Sequence, residues 1–580
     1  MKIIKKLAYV LDRKQKISLV FLGIMIFFGG IVETLSISAL IPMISVIIEP
    51  EWIMNMDIAQ KFMSIFHITT TKQFILALLI ILMIVFIVKN AYLLLLVYCQ
   101  SKYIAVNRNK MISRVLREFL YRPYEFYLDA DIPTVFRLTD SDIPQVFGMI
   151  LALIQLTTEL IVAFFLCIVL FVSDWKMTLF LVAMCLVVTA LLTKVIKPRL
   201  GKLGEKNQNI QSRIAKWRIQ AIYGIKDVKV LNREAFFADN YEENGKVGAI
   251  YSQNYSVLNS MPRLLIETIF IIGVLGYIGI YLLNGGDLTS MVLKISVVGA
   301  AAIRLMPSVN RINTYIGEIA YEEPSLNYLY ENLNINAISC SYPAKSRKKQ
   351  HKLQLKDKIE LKNITYAYPN TDNNIFTNAS MVIPHGKSVG IIGSSGAGKS
   401  TLVDILLGLL KVKEGEIFCD GINIFEHYEE WLSHIGYIPQ SIYLIDESIR
   451  DNIAFGIDDK EKDDKRIWDV LEEAQLKEFV ESLPEQLDTK VGERGVRLSG
   501  GQRQRLGIAR ALYHNPDILV FDEATSALDN ETERALMEAI NSFHGRKTMV
   551  IIAHRLNTIK NCDIIYKVKD SKIIETTLEE

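Results

Sequence analysis

The 580-residue chain has few cysteines and almost no net charge, and both shortages exclude classes of protein. Its six cysteines are scattered without a C-x-x-C pair, which argues against a disulfide framework or a cysteine-ligated metal site and fits a reducing cytosol. The formal net charge is only +2, so global charge gives no case for nucleic-acid binding, and no nucleic-acid partner is among our expectations. The cysteines are Cys99, Cys167, Cys185, Cys340, Cys419 and Cys562.

Apolar side chains, by contrast, are abundant and unevenly distributed. Half of the residues are hydrophobic, and they concentrate before about Pro307. A chain of this length is too long to fold around a single hydrophobic core, which indicates at least two domains. Residues 1–16 are basic, but no small-residue cleavage site follows the first apolar run. We therefore interpret that run as a retained helix rather than a signal peptide.

Six apolar runs are long enough to cross a hydrocarbon layer of roughly 30 Å. Each is predicted to be a helix, because the backbone finds no water partners in lipid. Lysines and arginines cluster before the first run and after the second and fourth, so the positive-inside rule places both termini in the cytosol. The predicted spans are Ile17–Ile48, Phe74–Tyr98, Gly148–Val172, Met177–Val195, Leu264–Leu283 and Thr289–Met306.

The connections between these runs alternate between long and short. Residues 99–147 and 196–262 are polar and poor in glycine and proline, which suits helices that continue beyond the membrane. On the opposite side, Glu51–Ile68 mixes apolar and charged residues with the spacing of a short amphipathic helix at the outer interface. An ordinary capped loop helix fits that spacing equally well.

The composition changes near Ser341, where a basic, polar linker begins. Beyond it, short β-rich runs alternate with helical stretches, the pattern of an α/β domain with a largely parallel sheet. We predict a multidomain chain, with an all-α transmembrane domain of six helices at residues 1–330, a linker at 331–356 and an α/β domain at 357–580.

One glycine-rich segment of the second domain matches G-x-x-x-x-G-K-[ST] without mismatch. It follows the apolar strand Ser388–Ile392 and opens the helix Ser400–Leu410, a context that favours a P-loop over a simple glycine-rich turn. Such a loop closes its N–H groups around the phosphates of ATP, with a lysine charge and a hydroxyl for Mg²⁺. The residues predicted to bind nucleotide here are Gly393, Ser394, Ser395, Gly396, Ala397, Gly398, Lys399, Ser400 and Thr401, with Ser400 also binding the metal.

Two acidic residues end another apolar strand, which begins at Ile518. Because parallel sheets present ligands at the carboxyl ends of their strands, Asp522 can reach the Mg²⁺ shell. Glu523 can polarise a water for attack on the γ-phosphate. Two such acids alone more often cap a helix, but the P-loop favours metal binding by Asp522 and catalysis by Glu523.

The segment Leu498-Ser-Gly-Gly-Gln502 identifies the family of this domain. It is identical to the signature of ATP-binding-cassette (ABC) ATPases, and the resemblance extends from about residue 357 to 570. The domain is thus expected to be an α/β P-loop ATPase using ATP and Mg²⁺. Further matching elements are Tyr368 in Tyr366-Ala-Tyr-Pro, Gln440 after Tyr437-Ile-Pro, Glu493 in Val491-Gly-Glu-Arg-Gly, Ser526-Ala-Leu-Asp529, and His554 in Ala553-His-Arg.

The resemblance implies a role for each of these elements. Tyr368 stacks on adenine, and His554 contacts the γ-phosphate during catalysis. Gln440 serves both catalysis and the metal, and links that region to the membrane domain. The segment ending at Asp529 lies across a dimer seam.

The signature also predicts that the protein works as a homodimer. Ser499, Gly500 and Gly501 begin a helix, where N–H groups and the helix dipole favour a phosphate, and Gln502 completes the motif. The P-loop of the same domain already forms one anion site, so this one needs a second nucleotide. In the family that nucleotide is held by the partner's P-loop, and the intact motifs imply two equivalent hydrolysing sites.

The order of the domains resembles ABC exporters of type IV, as a half-transporter, rather than importers with separate permease chains. Arg137–Gln145 and Ala221–Lys229 resemble the two coupling helices of that family. When the two ATPase domains of the dimer close around ATP, they would pull these segments together. The transport cavity of the membrane domains would then open outward. We expect a multi-pass protein of the bacterial cytoplasmic (inner) membrane.

Four basic residues in or beside the spans are candidates for contacting an anionic cargo, since charges within a membrane are expensive. Together, four cations facing one cavity would suit a pyrophosphate. Each also has an ordinary interpretation: Lys89 snorkels, Arg263 pairs with the glutamate four residues later, or Arg311 marks the cytosolic boundary. The candidates are Lys89, Arg263, Arg304 and Arg311.

The segments around these cations resemble bacterial lipid-linked oligosaccharide flippases of protein N-glycosylation. They are Val88–Tyr92, Pro262-Arg263 and Arg304–Arg311. In that family cavity arginines engage the pyrophosphate of a polyprenyl carrier, and an external helix, matched in placement by Glu51–Ile68, engages its lipid tail. Lys89 departs from the pattern, because an arginine is expected there and a lysine keeps the charge without bidentate contact.

Three hypotheses remain open from the sequence. The first is a flippase for a lipid-linked oligosaccharide or a related polyprenyl-pyrophosphate glycan, with membrane lipids and the lipid-linked cargo as partners. The second is a drug, lipid or peptide exporter on the same fold. The third, a soluble-type ABC ATPase joined to an unrelated anchor, is disfavoured by six spans with long cytosolic connections.

Overall fold

The computed structural model describes most of both predicted domains. The described residues are 2–38, 60, 63, 70–129, 132–173, 175–283, 288–339, 353, 355–369, 371, 373–523, 537–553 and 556–577. By contacts the chain divides into two units: Met1–Arg122 with Ala130–Cys340, and Pro123–Asp129 with Ser341–Glu580. Of the predicted outer segment Glu51–Ile68, only residues 60 and 63 are described. Of the predicted linker at 331–356, residues 331–339 belong to the last helix of the first unit, and most of the rest lies outside the described residues.

The first unit is helical throughout its described residues. Six helices of 26 to 52 residues correspond in order to the six predicted spans and continue beyond them. Its helices are α1 (Lys2–Val10), α2 (Arg13–Ser38), α3 (Thr71–Leu120), α5 (Ile132–Arg137), α6 (Ile143–Ser173), α7 (Trp175–Tyr223), α8 (Ile225–Val230), α9 (Glu234–Leu283) and α10 (Leu288–Ser339); α4 (Tyr124–Asp129) groups with the second unit.

Length and composition mark four stretches of the described helices as able to cross a membrane. Their apolar side chains face outward to a large extent; on α3, for example, Ile80, Ile84 and Ile87 are exposed. An exposed apolar surface of this extent is unusual for a water-soluble domain and suits contact with lipid. The four stretches are Arg13–Ser36, Lys72–Leu120, Thr134–Ile168 and Glu234–Gly273.

The long helices α7, α9 and α10 pack around a small apolar core that includes Leu200, Ile266 and Ala320. At Gly204 the backbone of α7 approaches α10 so closely that a Cβ atom would lie 2.1 Å from the carbonyl oxygen of Tyr321. Only glycine permits this approach.

Of the two predicted coupling segments, one overlaps a short helix and the other does not. A short helix does follow α7, at α8, overlapping Ala221–Lys229. The residues Arg137–Gln145, however, form no separate short helix: a π-helical turn at Leu138–Asp142 runs directly into α6. Two short helices, α4 and α5, follow α3 instead. The first begins at Tyr124 because Tyr121 and Arg122 end the preceding helix and Pro123 allows a new start.

Helix α4 groups with the second unit by its contacts. The Glu125 carboxylate accepts a hydrogen bond from the backbone N–H of Lys411 at 2.7 Å. Burial raises the pKa of Tyr124, with the nearby Asp404 adding to the effect. Residues 123–129 therefore pack within the second unit, next to the helix that follows the P-loop.

The second unit contains two sheets, and the larger one confirms the predicted parallel arrangement. Its six strands have the order β10-β9-β3-β8-β7-β6, in which only the edge pair β10–β9 is antiparallel. The smaller, antiparallel sheet has the order β2-β1-β4-β5. The strands are β1 (Lys358–Tyr366), β2 (Phe376–Pro384), β3 (Ser388–Ile392), β4 (Glu414–Cys419), β5 (Ile422–Asn423), β6 (Ile435–Ile438), β7 (Ile518–Asp522), β8 (Thr548–Ile552), β9 (Ile564–Lys569) and β10 (Lys572–Thr576).

Helices cover this sheet and form two apolar cores. One core lies between the two sheets and the P-loop helix, and the other surrounds the signature helix. The helices are α11 (Lys399–Leu406), α12 (Tyr428–Ser433), α13 (Ile449–Ile453), α14 (Asp464–Glu473), α15 (Lys477–Glu481), α16 (Gly500–Leu512) and α17 (Leu556–Ile559).

A carboxylate fixes the start of the central strand β3. Asp563 accepts hydrogen bonds from the backbone N–H and the hydroxyl of Ser388, both at 2.8 Å, and pairs with Lys387 at 3.0 Å. Burial raises the pKa of Asp563, but these partners outweigh it and hold the pKa at about 2. Since the folded pKa lies below the ordinary value, this stabilisation is present above about pH 4 and is lost as the pH falls through 2.

We expect Asp563→Asn to lower the melting temperature of the α/β unit by about 3–8 °C near pH 7, since it weakens charge-assisted hydrogen bonds. The measurement is thermal unfolding of the full chain followed by tryptophan fluorescence. Asp458→Asn is the control, because Asp458 is exposed and makes no capping hydrogen bond. A difference between variant and wild type that does not shrink toward pH 2 would contradict the assigned cause.

Candidate functional site

The P-loop connects β3 to α11 as predicted, and its glycines are required by the backbone. Gly396 and Gly398 have φ angles of 80° and 100°, which disfavour side chains. A Cβ atom at Gly398 would also lie 2.6 Å from Ile375. The helix after the loop is shorter than predicted and ends at Leu406, because Gly408 turns into the left-handed region with φ 72°.

Lys399 lies inside the curve of this loop. It is buried, and its Nζ donates hydrogen bonds to the carbonyl oxygens of Gly393 and Ser394 at 3.1 and 3.2 Å. The ammonium group is thereby held where the loop N–H groups converge. Such an arrangement provides both hydrogen-bond donors and a positive charge for the phosphates of a nucleotide.

Asp522 lies next to the P-loop at the end of β7. Burial raises the pKa of its carboxyl group, and the adjacent Glu523 charge raises it further, while interactions with Tyr437, Lys399 and Ser400 act in the opposite direction. Oδ2 accepts a hydrogen bond from the Tyr437 hydroxyl at 3.4 Å. Oδ1 is buried and has no hydrogen-bond partner among the described residues.

These residues fit a bound Mg²⁺ ion, which prefers oxygen ligands and phosphate oxygens. The unpartnered Asp522 oxygen and the neighbouring Ser400 hydroxyl would hold it. When bound, Mg²⁺ supplies positive charge to the transferring phosphoryl group. The remaining chemistry belongs to the side chains described next.

Glu523 and Gln440 are brought together from separate strands. The Gln440 Nε2 atom donates a hydrogen bond to Glu523 Oε2 at 2.7 Å. Glu523 has a φ angle of 52°, a left-handed conformation that is uncommon for residues other than glycine and that concentrates at functional sites. Its backbone N–H is tied to the carbonyl oxygen of Ile552 at 3.2 Å. The carboxylate is thus oriented away from its own strand toward the glutamine.

The structure also positions Tyr368 and the signature residues. The Tyr368 hydroxyl shares a hydrogen bond of 2.8 Å with Thr401 of α11, so the ring lies beside the P-loop helix. Ser499 caps α16, with its hydroxyl accepting from the Gln502 N–H at 3.2 Å and its own N–H donating to Gln502 Oε1 at 2.8 Å. This reciprocal cap leaves the first-turn N–H groups of Gly500 and Gly501 available.

Two predicted site residues cannot be placed. His554 and Asp529 lie outside the described residues. The P-loop residues 393–400 and the signature residues 499–502 share no hydrogen bond or ion pair in the part of the chain that the structure describes. Each of the two elements packs in a different apolar core.

Tyr437 and Asp404 lie beside Asp522 and were not among the predicted site residues. Burial and Asp522 together raise the pKa of Asp404 to about 6, and the same two causes raise the pKa of Tyr437. Tyr437 contributes the only side-chain hydroxyl of the short strand β6, and such a polar group in an otherwise apolar strand is a signal that the sequence offers.

The four basic residues predicted to contact cargo differ in their surroundings in the structure. Lys89 lies over the Phe86 ring, with Nζ 4.7 Å from its centre, and Arg263 is exposed. Arg304 belongs to α10, but its side chain is outside the described part. Arg311 pairs with Glu159 of α6 at 2.8 Å. Glu159 lies within an apolar run and was not among the predicted site residues.

The fold and this site together define a class: a helical membrane domain followed by a P-loop ATPase. Residues 19–304 match the family described as "ABC transporter transmembrane region", and residues 376–526 match the family "ABC transporter". The chain belongs to the ABC transporter family and is an exporter-type half-transporter that couples ATP hydrolysis to transport.

Relatives of similar architecture support this assignment. The chain is 31% identical to the ATP-dependent lipid A-core flippase of Saccharophagus degradans over 80% of this chain and 77% of that protein. It is 32% identical to the flippase of the same name from Coxiella burnetii, over 70% and 68%. A bacterial Atm1-family ABC exporter with ATP bound has the same fold, with a TM-score of 0.78 and 21% identity over 97% of this chain and 95% of that one.

Proposed function

We propose that the protein acts as a homodimer in a bacterial cytoplasmic membrane, with both termini in the cytosol. Its activity is to flip an amphipathic anionic lipid from the cytosolic to the outer leaflet. The cargo is a polyprenyl-pyrophosphate-linked oligosaccharide. Hydrolysis uses Mg²⁺ held by Ser400, Asp522 and Gln440, with Glu523 orienting the attacking water and His554 contacting the γ-phosphate.

The observation that carries the cargo proposal is the half-exposed side chain of Arg311 on α10. A guanidinium within a spanning domain recognises phosphate oxygens through paired hydrogen bonds. Lys89 and Arg263 add positive charge on two other helices, and Arg304 adds it on α10 itself. The relatives named lipid A-core flippases support a lipid as the cargo.

A second candidate is an exporter of drugs, other lipids or peptides. The ion pair between Arg311 and Glu159 favours it, because the pair cancels one of the four predicted positive charges. A site with less net charge would select less strongly for a pyrophosphate.

Flipping in proteoliposomes distinguishes the two candidates. We expect ATP-dependent movement of a fluorescent lipid-linked oligosaccharide, and we expect Arg311→Ala to lower the ratio of lipid flipped to ATP hydrolysed by about tenfold or more, since a charge-assisted hydrogen bond is lost. Arg213→Ala is the matched control, because Arg213 is an exposed arginine of α7 beyond the predicted span. Equal flipping by Arg311→Ala and the control would favour the second candidate.

A further inference from the structure

The two side chains of the ion pair between α6 and α10 differ in their exposure to solvent. Arg311 Nε lies 2.8 Å from Glu159 Oε1, and the side chains are 43% and 12% exposed, respectively. The carboxylate is therefore largely enclosed, whereas the arginine side chain as a whole is partly exposed, although its Nε atom is buried. An enclosed carboxylate in a spanning helix is stabilised mainly by such a counter-ion.

The ion pair also leaves buried polar atoms without hydrogen bonds. Oε2 of Glu159 and Nε of Arg311 are both buried, and neither makes a hydrogen bond among the described residues, so the 2.8 Å contact is an ion pair without hydrogen-bond geometry. The contact is thus end-on, through one carboxylate oxygen, rather than the two-pronged arrangement that arginine makes with its strongest partners. A guanidinium has five N–H donors, so Arg311 retains donors for a second anion.

An anionic headgroup would compete with Glu159 for the same cation. A phosphate or pyrophosphate offers two oxygens at the spacing of the guanidinium fork, together with more charge than a carboxylate. A neutral or zwitterionic lipid gains little by breaking the pair, because the enclosed carboxylate would then lose its counter-ion. Only an anion that binds Arg311 more strongly than Glu159 does would displace the carboxylate. The ion pair therefore favours cargo of high negative charge.

We propose that Glu159 is a specificity-determining residue, a built-in counter-ion that an anionic headgroup must displace from Arg311. Displacement frees the α6–α10 contact and raises the preference for a pyrophosphate over a monophosphate. This inference rests on the proposed function, since it assigns a selectivity role within the same cargo site.

The test uses the full-length dimer in nanodiscs and two soluble probes, farnesyl pyrophosphate and farnesyl monophosphate. The readout is the concentration of each probe that gives half-maximal stimulation of ATP hydrolysis. In wild type, we expect the pyrophosphate to act at a much lower concentration than the monophosphate. In Glu159→Gln, both concentrations should fall, and that for the monophosphate should fall by about tenfold more, a size typical of coupling between sites.

Two further variants separate this role from general damage. Glu159→Gln should have no additional effect in an Arg311→Ala background, because the cation it releases is absent. Glu159→Asp keeps the charge on a shorter side chain and should keep most of the discrimination between the probes. Glu159→Ala, which also removes the charge, replaces Glu159→Gln as the test if that variant does not fold.

The outcomes are distinguishable. If neither probe stimulates wild type, the proposed anionic cargo is wrong, and the role of Glu159 falls with it. If wild type responds but Glu159→Gln keeps the same ratio between the two probes, the proposed function stands and the selectivity role is overturned. An equal effect of Glu159→Gln with and without Arg311 also overturns it.

Discussion

Replacing Glu523 by glutamine is expected to reduce ATP turnover by at least about a hundredfold while nucleotide binding persists, a loss in the range of general-base removal. The carboxylate projects from a left-handed residue at the end of β7, 2.7 Å from Gln440 Nε2, and adjoins Asp522 at the P-loop. Glutamine preserves the shape but cannot accept the proton of the attacking water. The P-loop donors and Lys399 remain in place.

The measurement is phosphate release together with the amount of ATP retained by purified protein in lipid. Glu478→Gln on α15 is the control, because Glu478 is an exposed glutamate of the same unit. Turnover of Glu523→Gln at the wild-type rate would remove Glu523 from the catalytic role. Loss of both turnover and binding would instead indicate a disrupted P-loop.

A mixed dimer of two inactive variants is expected to recover one working ATP site. Lys399→Ala removes the charge of the P-loop, and Gly500→Asp places a negative charge at the start of α16, where it suits the helix dipole but repels a phosphate. Each variant alone should lose on the order of a hundredfold in hydrolysis, as when a donor to the transition state is removed. When the site is shared, the mixed dimer has both defects in one site and none in the other.

The check is vanadate-trapped nucleotide in mixed dimers isolated through two different affinity tags. We expect about one trapped nucleotide per mixed dimer and almost none in either variant alone, because trapping requires a complete site. Wild-type dimers prepared with the same tags are the control. If co-expression restores no trapping, the P-loop and the signature of one chain act together without the partner, and the proposed shared site is wrong.

The architecture of both units was predictable because its signals are local. A strand, a glycine-rich loop and a helix are contiguous in the P-loop, and the strand β3 has the predicted bounds Ser388–Ile392. Spans are recognisable because a helix is the only way for a single segment to satisfy its backbone in lipid. The boundaries were less accurate: α11 ends four residues early, where Gly408 adopts a left-handed conformation.

The predicted segment Arg137–Gln145 is not a separate short helix. It was assigned from the family resemblance, and polarity merely permitted it, since the same property holds for much of that connection. The structure places the short helix at Tyr124–Asp129 because it packs against residues around Lys411, nearly three hundred positions away in sequence. A contact of this kind has no local signature.

The sequence alone determined the order of the two domains, the helical membrane unit, the P-loop ATPase and its family, since each depends on apolar length or on residues adjacent in the chain. Only the tertiary structure decided the hydrogen bond between Gln440 and Glu523, the contact of Tyr437 with Asp522, and the pairing of Glu159 with Arg311. Burial and charge pairing between distant segments set these interactions, and they arise only when the chain is folded.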